Sequence, residues 1–264
     1  MSYIKAKSGV NWHYHSQGQG ETVLFIHGWS FDAGIWFKQI DNFLGNYRVV
    51  TLDLPGHGQS DYIGELDTIE DINFIIRELG LDRTNLIGHS LGGLLSLKLV
   101  LKYPELIKKL VLIGAPAKFV RTQKHNFGLE EKDIDKLRSF LSDDYPDILL
   151  VFMRWLFTTQ ERNRADFREV WSKLSKKETW PQKKAMDDFL SMIEKEDITE
   201  QLGNLDIPTL IISGVNDPIC PVESIDYLGR QIKNSRVELF KDCGHLPFLT
   251  QYQQFNRLAK EFIG

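Results

Sequence analysis

Short apolar runs alternate with longer amphipathic stretches along most of this chain, the sequence form of a parallel sheet covered by helices. The apolar runs at 22–26 (TVLFI), 47–52 (YRVVTL), 85–88, 109–114, 208–213 (PTLIIS) and 236–240 predict strands. Helical spacing covers 35–44, 68–79, 91–103 and 251–263; Thr68 opens the second of these, Gly80 follows it, and Pro104 stops the third. The alternation breaks after Pro116. From 117 to 202 the chain is amphipathic and charge-rich without a strand-like run, and the strand–helix pattern resumes at Pro208. The pattern predicts an α/β fold: a mostly parallel twisted sheet flanked by helices, built from 1–116 and 203–264, with 117–202 inserted as a helical cap.

Composition narrows the class of protein without naming its chemistry. The 264 residues are 42% hydrophobic and 26% charged, ordinary for a globular chain long enough for a core with an insertion. A formal net charge of -4 gives no bulk attraction to nucleic acid or membrane. The start, MSYIKAKSGVNWHYH, lacks the apolar core of a signal peptide, and no run has the length to span a bilayer. Cys220 and Cys243 lack CxxC spacing, so neither a disulfide framework nor a zinc site is expected. The expectation is a cytoplasmic, monomeric protein with no metal and no cofactor.

Gly88-His89-Ser90-Leu91-Gly92 matches G-x-S-x-G between a predicted strand and a predicted helix, the context in which this pattern carries chemistry. So tight a turn strains the serine backbone and crowds its neighbours. Glycine two positions before and two after removes the Cβ atoms that would collide. The turn holds Oγ clear of the sheet, at the positive end of a helix. Ser90 is therefore the candidate nucleophile.

A serine hydroxyl is a poor nucleophile until a base takes its proton. Of seven histidines (His13, His15, His27, His57, His89, His125 and His245), only His245 follows the last predicted strand, at the sheet edge where ligands gather in open α/β folds. Asp217, just after PTLIIS, is the candidate carboxylate that would fix the imidazole tautomer; Asp242 is expected to face the surface. Two backbone N–H groups must face the oxygen of a tetrahedral intermediate. Leu91, following the nucleophile, and Trp29, in the loop after TVLFI, are the candidates. His27 and His57 are expected to brace turns.

HGW at 27–29, DLPGHGQS at 53–60, GHSLGG at 88–93, SGVNDPICP at 213–221 and CGHLPFL at 243–249 together resemble the α/β-hydrolase superfamily. Within it the chain resembles the pimeloyl-[acyl-carrier-protein] methyl ester carboxylesterases of biotin synthesis. That likeness rests on HGW with a second tryptophan at Trp36, the phrase Leu141-Ser142-Asp143-Asp144, and HLPFLT from His245 onward. The resemblance implies a serine carboxylesterase that passes through an acyl-enzyme, on a small-molecule or carrier-bound ester. It implies that Trp29, Phe152, Met153, Arg154, Trp155 and Leu156 line the acyl pocket. It also implies that Arg164 and Arg168 meet an acidic acyl carrier protein. Asp147 and Val151 stand where that family leads one to expect further arginines, and His89 where some members carry tryptophan.

Independently of the resemblance, the stretch from Arg154 to Lys184 is rich in base. Arg154, Arg162, Arg164, Arg168, Lys173, Lys176, Lys177, Lys183 and Lys184 face only Glu161, Asp166, Glu169 and Glu178 in sequence. This is either a local field that steers an acidic partner or an ordinary solvated helix face. Serine at position 90 argues against dehalogenases and epoxide hydrolases of this fold, which carry aspartate there. Carbon–carbon hydrolases, lyases such as the cyclohexadiene carboxylate synthase of menaquinone synthesis, and a non-enzymatic ligand receptor remain open.

Overall fold

A computed structural model describes residues 2–64, 66–143, 145–176 and 179–264. Asp144, Lys177 and Glu178, all cited above, lie outside the described residues. One sheet of eight strands has the order β1-β2-β4-β3-β5-β6-β7-β8. The strands are β1 (Ser2–Lys5), β2 (Asn11–Gln17), β3 (Glu21–Ile26), β4 (Tyr47–Leu52), β5 (Thr84–His89), β6 (Ile107–Ile113), β7 (Thr209–Gly214) and β8 (Ser235–Phe240). β2 pairs antiparallel with β1 and β4, and every other neighbouring pair is parallel. Central parallel strands are covered on both faces, so β5 and β7 are buried along their whole length; β7 (TLIISG) is mostly apolar, whereas β5 (TNLIGH) buries Thr84, Asn85 and His89 as well. β1 and β2 have no such run. In β2 (NWHYHSQ) only Trp12 and His13 are buried, and polar residues fill the rest.

The helices are α1 (Ile40–Phe43), α2 (Thr68–Glu78), α3 (Leu91–Lys102), α4 (Glu131–Asp143), α5 (Asp147–Trp155), α6 (Thr159–Arg162), α7 (Phe167–Ser175), α8 (Lys183–Lys195), α9 (Val222–Gln231), α10 (Pro247–Thr250) and α11 (Tyr252–Ile263). The helical stretch expected at 35–44 is broken into a 3-10 turn, Ala33–Trp36, and the short α1. The cap of α2 is Asp67, whose carboxylate accepts from the Glu70 amide at 3.1 Å. Trp36 is fully buried and packs on Phe248, ring centroids 4.6 Å apart, away from any site.

Between β6 and β7 the described chain holds helices α4 to α8 and a 3-10 turn; its only β feature is a single bridge, Val120 to Leu129. These helices lie against the carboxyl end of the sheet. The Trp29 indole N–H donates to the Met186 carbonyl at 2.9 Å, and the Gln182 amide donates to the Gly56 carbonyl at 2.7 Å. None of the helices among the described residues is long and apolar enough to cross a membrane.

Candidate active site

The turn from β5 into α3 is as tight as its glycines imply. Ser90 sits at φ 54°, ψ -117°, a strained conformation for a residue with a side chain. Its amide donates to the Ile113 carbonyl at 2.8 Å, which ties the turn to β6. A Cβ at Gly92 would run into the carbonyl oxygens of Ile26 and His27, and one at Gly88 would lie 2.6 Å from the Gly92 carbonyl oxygen. Leu91 opens α3, so its amide has no acceptor inside the helix.

Asp217 follows β7 and His245 follows β8, and the two side chains meet. His245 Nδ1 donates to Asp217 Oδ2 at 2.7 Å, with both residues buried. The other carboxylate oxygen accepts from the amides of Ile219 (2.8 Å) and Cys220 (2.9 Å), which fixes the carboxylate plane. Gly114, at the end of β6, passes so close that a Cβ there would stand 2.9 Å from His245 Nδ1 and 3.1 Å from Asp217 Oδ2. Asp242 is exposed.

Ser90 and His245 line one cavity of about 30 Å³, and every other residue lining it is apolar, among them Trp29, Phe31, Phe119, Phe152, Leu156 and Leu190. Of the five consecutive residues expected to line an acyl pocket, only Phe152 and Leu156 reach it. They are four apart and share one helix face. Met153 is buried away from the cavity, Arg154 lies over the Trp171 ring at 5.6 Å, and Trp155 is half exposed. Trp155 instead lines an outer apolar groove of about 280 Å³ between α4 and α5, which shares Leu129, Leu137 and Phe152 with the inner cavity. Phe31, Phe119 and Ile219 come from three separate loops, and no local pattern marked them.

The two turn histidines act as braces. His27 Nδ1 donates to the Gly28 carbonyl at 2.8 Å while its Nε2 accepts from the Leu54 amide at 2.9 Å. His57 Nδ1 donates to the Pro55 carbonyl at 3.0 Å. His89 does more than fill the tryptophan position. It is fully buried, its Nε2 donates to the His245 carbonyl at 3.2 Å, and the two rings lie 4.7 Å apart. Burial, with the nearby His245, holds its pKa well below the ordinary 6.5, so the ring is neutral.

Asp217, Cys220 and His245 bring three metal-ligating atoms within 4.8 Å of one another. Their present partners suit a different task. The Cys220 thiol, pushed upward in pKa by burial and by Asp217, donates to the Gly114 carbonyl at 2.9 Å, and Nδ1 and Oδ2 are spent on each other. Cys243 is likewise buried and free. In the basic stretch, Arg164 and Arg168 are exposed. Arg164 chelates Asp166 through two bonds, at 3.1 and 2.8 Å, and Glu169 pairs with Lys38 at 2.7 Å.

A family model described as alpha/beta hydrolase fold matches residues 21–252. The pimeloyl-[acyl-carrier protein] methyl ester esterase of Nitrosomonas europaea is 29% identical over 246 residues, covering 92% of this chain and 96% of that protein. The esterase of the same name from Aeromonas hydrophila is 27% identical over 252 residues, covering 94% and 97%. Among solved structures, a bromoperoxidase from Bacillus anthracis aligns with a TM-score of 0.89 at 28% identity over 99% of each chain. An esterase from Exiguobacterium antarcticum aligns with a TM-score of 0.90 at 24% identity over 99% of this chain and 98% of that one, a likeness of fold. With most of its length matched, from the start of β3 to the start of α11, the chain belongs to the alpha/beta hydrolase fold family.

Proposed function

We propose that the protein is a serine esterase in which Ser90, His245 and Asp217 work as a catalytic triad and residues 117–202 form a cap over it. The observation that carries this reading is the buried Asp217–His245 pair, 2.7 Å apart, sharing one apolar cavity with a strained serine at a helix start. Asp217 holds the imidazole with its proton on Nδ1, leaving Nε2 to accept the Ser90 proton. Oγ then adds to the ester carbonyl, and the amides of Trp29 and Leu91 take the developing oxyanion. Collapse expels the alcohol, which leaves with the proton from His245. Water, deprotonated by the same imidazole, adds to the acyl-enzyme and releases the acid, returning the proton to Ser90.

Apolar cavity walls suit an aliphatic acyl chain rather than a charged one at the reacting end. The relatives named for pimeloyl-[acyl-carrier protein] methyl ester support a substrate of that kind, a methyl ester on a carrier-bound acyl chain. The exposed Arg164 and Arg168 would then face the acidic carrier. A fluorophosphonate probe should label the wild-type protein and leave Ser90→Ala unlabelled. An ester chain-length panel that includes a carrier-bound methyl pimeloyl ester then tests the substrate. A protein that resists the probe while binding acyl compounds would be a receptor instead.

A further inference from the structure

The loop that carries His245 is held from outside the sheet domain by a single buried carboxylate. Glu161, 1% exposed, lies in α6. Its Oε2 accepts from the Gly244 amide at 2.9 Å and from the Thr158 amide at 2.8 Å, and its Oε1 accepts from the Thr250 hydroxyl at 2.5 Å. Beside it, the His245 amide donates to the Leu156 carbonyl at 2.9 Å. The two chains touch so closely that a Cβ at Gly244 would collide with the Leu156 carbonyl oxygen and stand 3.1 Å from Glu161 Oε2.

A capping box explains only part of this. Thr158 and Glu161 satisfy each other's amides at the start of α6, as in any such box. A box on a surface helix leaves the rest of the glutamate in water. Here the remaining acceptor capacity is directed at Gly244 and Thr250, which flank His245 and are 83 and 89 residues away in sequence. Asp217 governs the imidazole from the ring side. The backbone beneath the ring is held by Leu156 and Glu161 from the helical segment and by His89, whose Nε2 donates to the His245 carbonyl.

We propose that Glu161 is a positioning residue for His245: its carboxylate fixes the backbone on either side of the histidine and so the reach of the imidazole toward Ser90. The proposal rests on the reading of His245 as the base for Ser90. Removing the carboxylate leaves the Gly244 amide buried without an acceptor and the Thr250 hydroxyl with only the Leu246 carbonyl, 3.4 Å away, so the loop must shift to satisfy the amide. Misplacement of a catalytic group by about 1 Å costs on the order of 100-fold in rate.

The test is steady-state hydrolysis of p-nitrophenyl butyrate by wild type, Glu161→Ala, Glu161→Gln, Thr250→Val and Ser90→Ala. Glu161→Ala is expected to lose about 10- to 100-fold in kcat with KM within about twofold, because the acyl cavity is untouched. Glu161→Gln should keep kcat within about threefold: its carbonyl can accept both amides, and its NH2 can donate to Thr250 Oγ1, whose own proton then turns to the Leu246 carbonyl. Thr250→Val, which deletes one bond and retains the carboxylate, should lose about three- to tenfold in kcat alone, and it carries the test if Glu161→Ala does not fold. An unchanged kcat in Glu161→Ala, or in Thr250→Val if that variant carries the test, with Ser90→Ala inactive, overturns the proposal and leaves the triad standing. A KM that rises in step with the fall in kcat also overturns it. Full activity in Ser90→Ala overturns the triad reading and the proposal together.

Discussion

The main-chain carbonyl of Leu156 accepts the His245 amide at 2.9 Å while the Leu156 side chain forms a wall of the cavity beside Ser90. One residue of the inserted helical segment thus touches both the substrate space and the backbone of the candidate base. The side chain can be cut back without losing the carbonyl. Leu156→Ala should therefore widen acyl tolerance, raising kcat/KM for branched or longer acyl esters relative to acetate by about tenfold. It should also cost about 2–5 kcal/mol in stability, read from urea unfolding. An unaltered acyl preference would place the acyl chain elsewhere.

The role proposed for Asp217 can be tested separately from that of Ser90. In Asp217→Asn the amides of Ile219 and Cys220 keep an oxygen acceptor, while the group facing Nδ1 can become an NH2 donor and force the wrong tautomer. Activity should fall by about 10⁴-fold with the fold intact by circular dichroism. A loss below about tenfold would move the acid role to another carboxylate.

His89 makes stability depend on acid. Its folded pKa lies well below the ordinary 6.5 because burial disfavours the charged ring. Between those values the unfolded chain binds the proton and the folded one does not, so stability is complete above pH 6.5 and is lost as the pH falls. His125, also buried, is shifted in the same direction and adds to the slope. The Tm should therefore drop between about pH 7.5 and pH 5, and the drop should shrink in His89→Phe. The same drop in that variant would assign the slope to other groups.

Charge reversal at Arg164 and Arg168 probes how an acyl carrier would dock. The double change to Glu should raise KM for a carrier-bound ester by about tenfold at low salt and leave a small soluble ester within about twofold. The effect should fade as salt is added. Equal effects on both substrates would count against docking at this surface.

Much of the fold is legible because the central strands are buried on both faces, so β3, β6 and β7 announce themselves as apolar runs, while β5 (TNLIGH) has only Leu86-Ile87 between polar residues and is marked by the tight turn that follows it. β1 and β2 pair at one edge of the sheet, where polar residues are tolerated, and no apolar run marks them. Ser90, Asp217 and His245 were readable because each stands just past the end of a strand in a turn rich in glycine or proline. The cap side chains were not. Residues 152–156, at the end of α5 and its C-cap, point all round the helix axis, so Phe152 and Leu156 face the cavity while Arg154 and Trp155 face outward. His89 was noted only for what it replaces. Thr158-Thr159-Gln160-Glu161 carries the capping-box signature, but the further partners of Glu161, Gly244 and Thr250, lie too far along the chain for any local pattern to name them.

The open volume beside Ser90, about 30 Å³, is about tenfold below the roughly 300 Å³ at which small-molecule pockets begin. An acyl chain of several carbons needs more room than this, so Phe152, Leu156 and their neighbours are expected to part to admit it, which makes admission and reaction successive events with separate clocks. For long chains the first clock is expected to set the pace. The rate should then saturate with ester concentration and slow in viscous solvent, whatever the reactivity of the alcohol to be expelled.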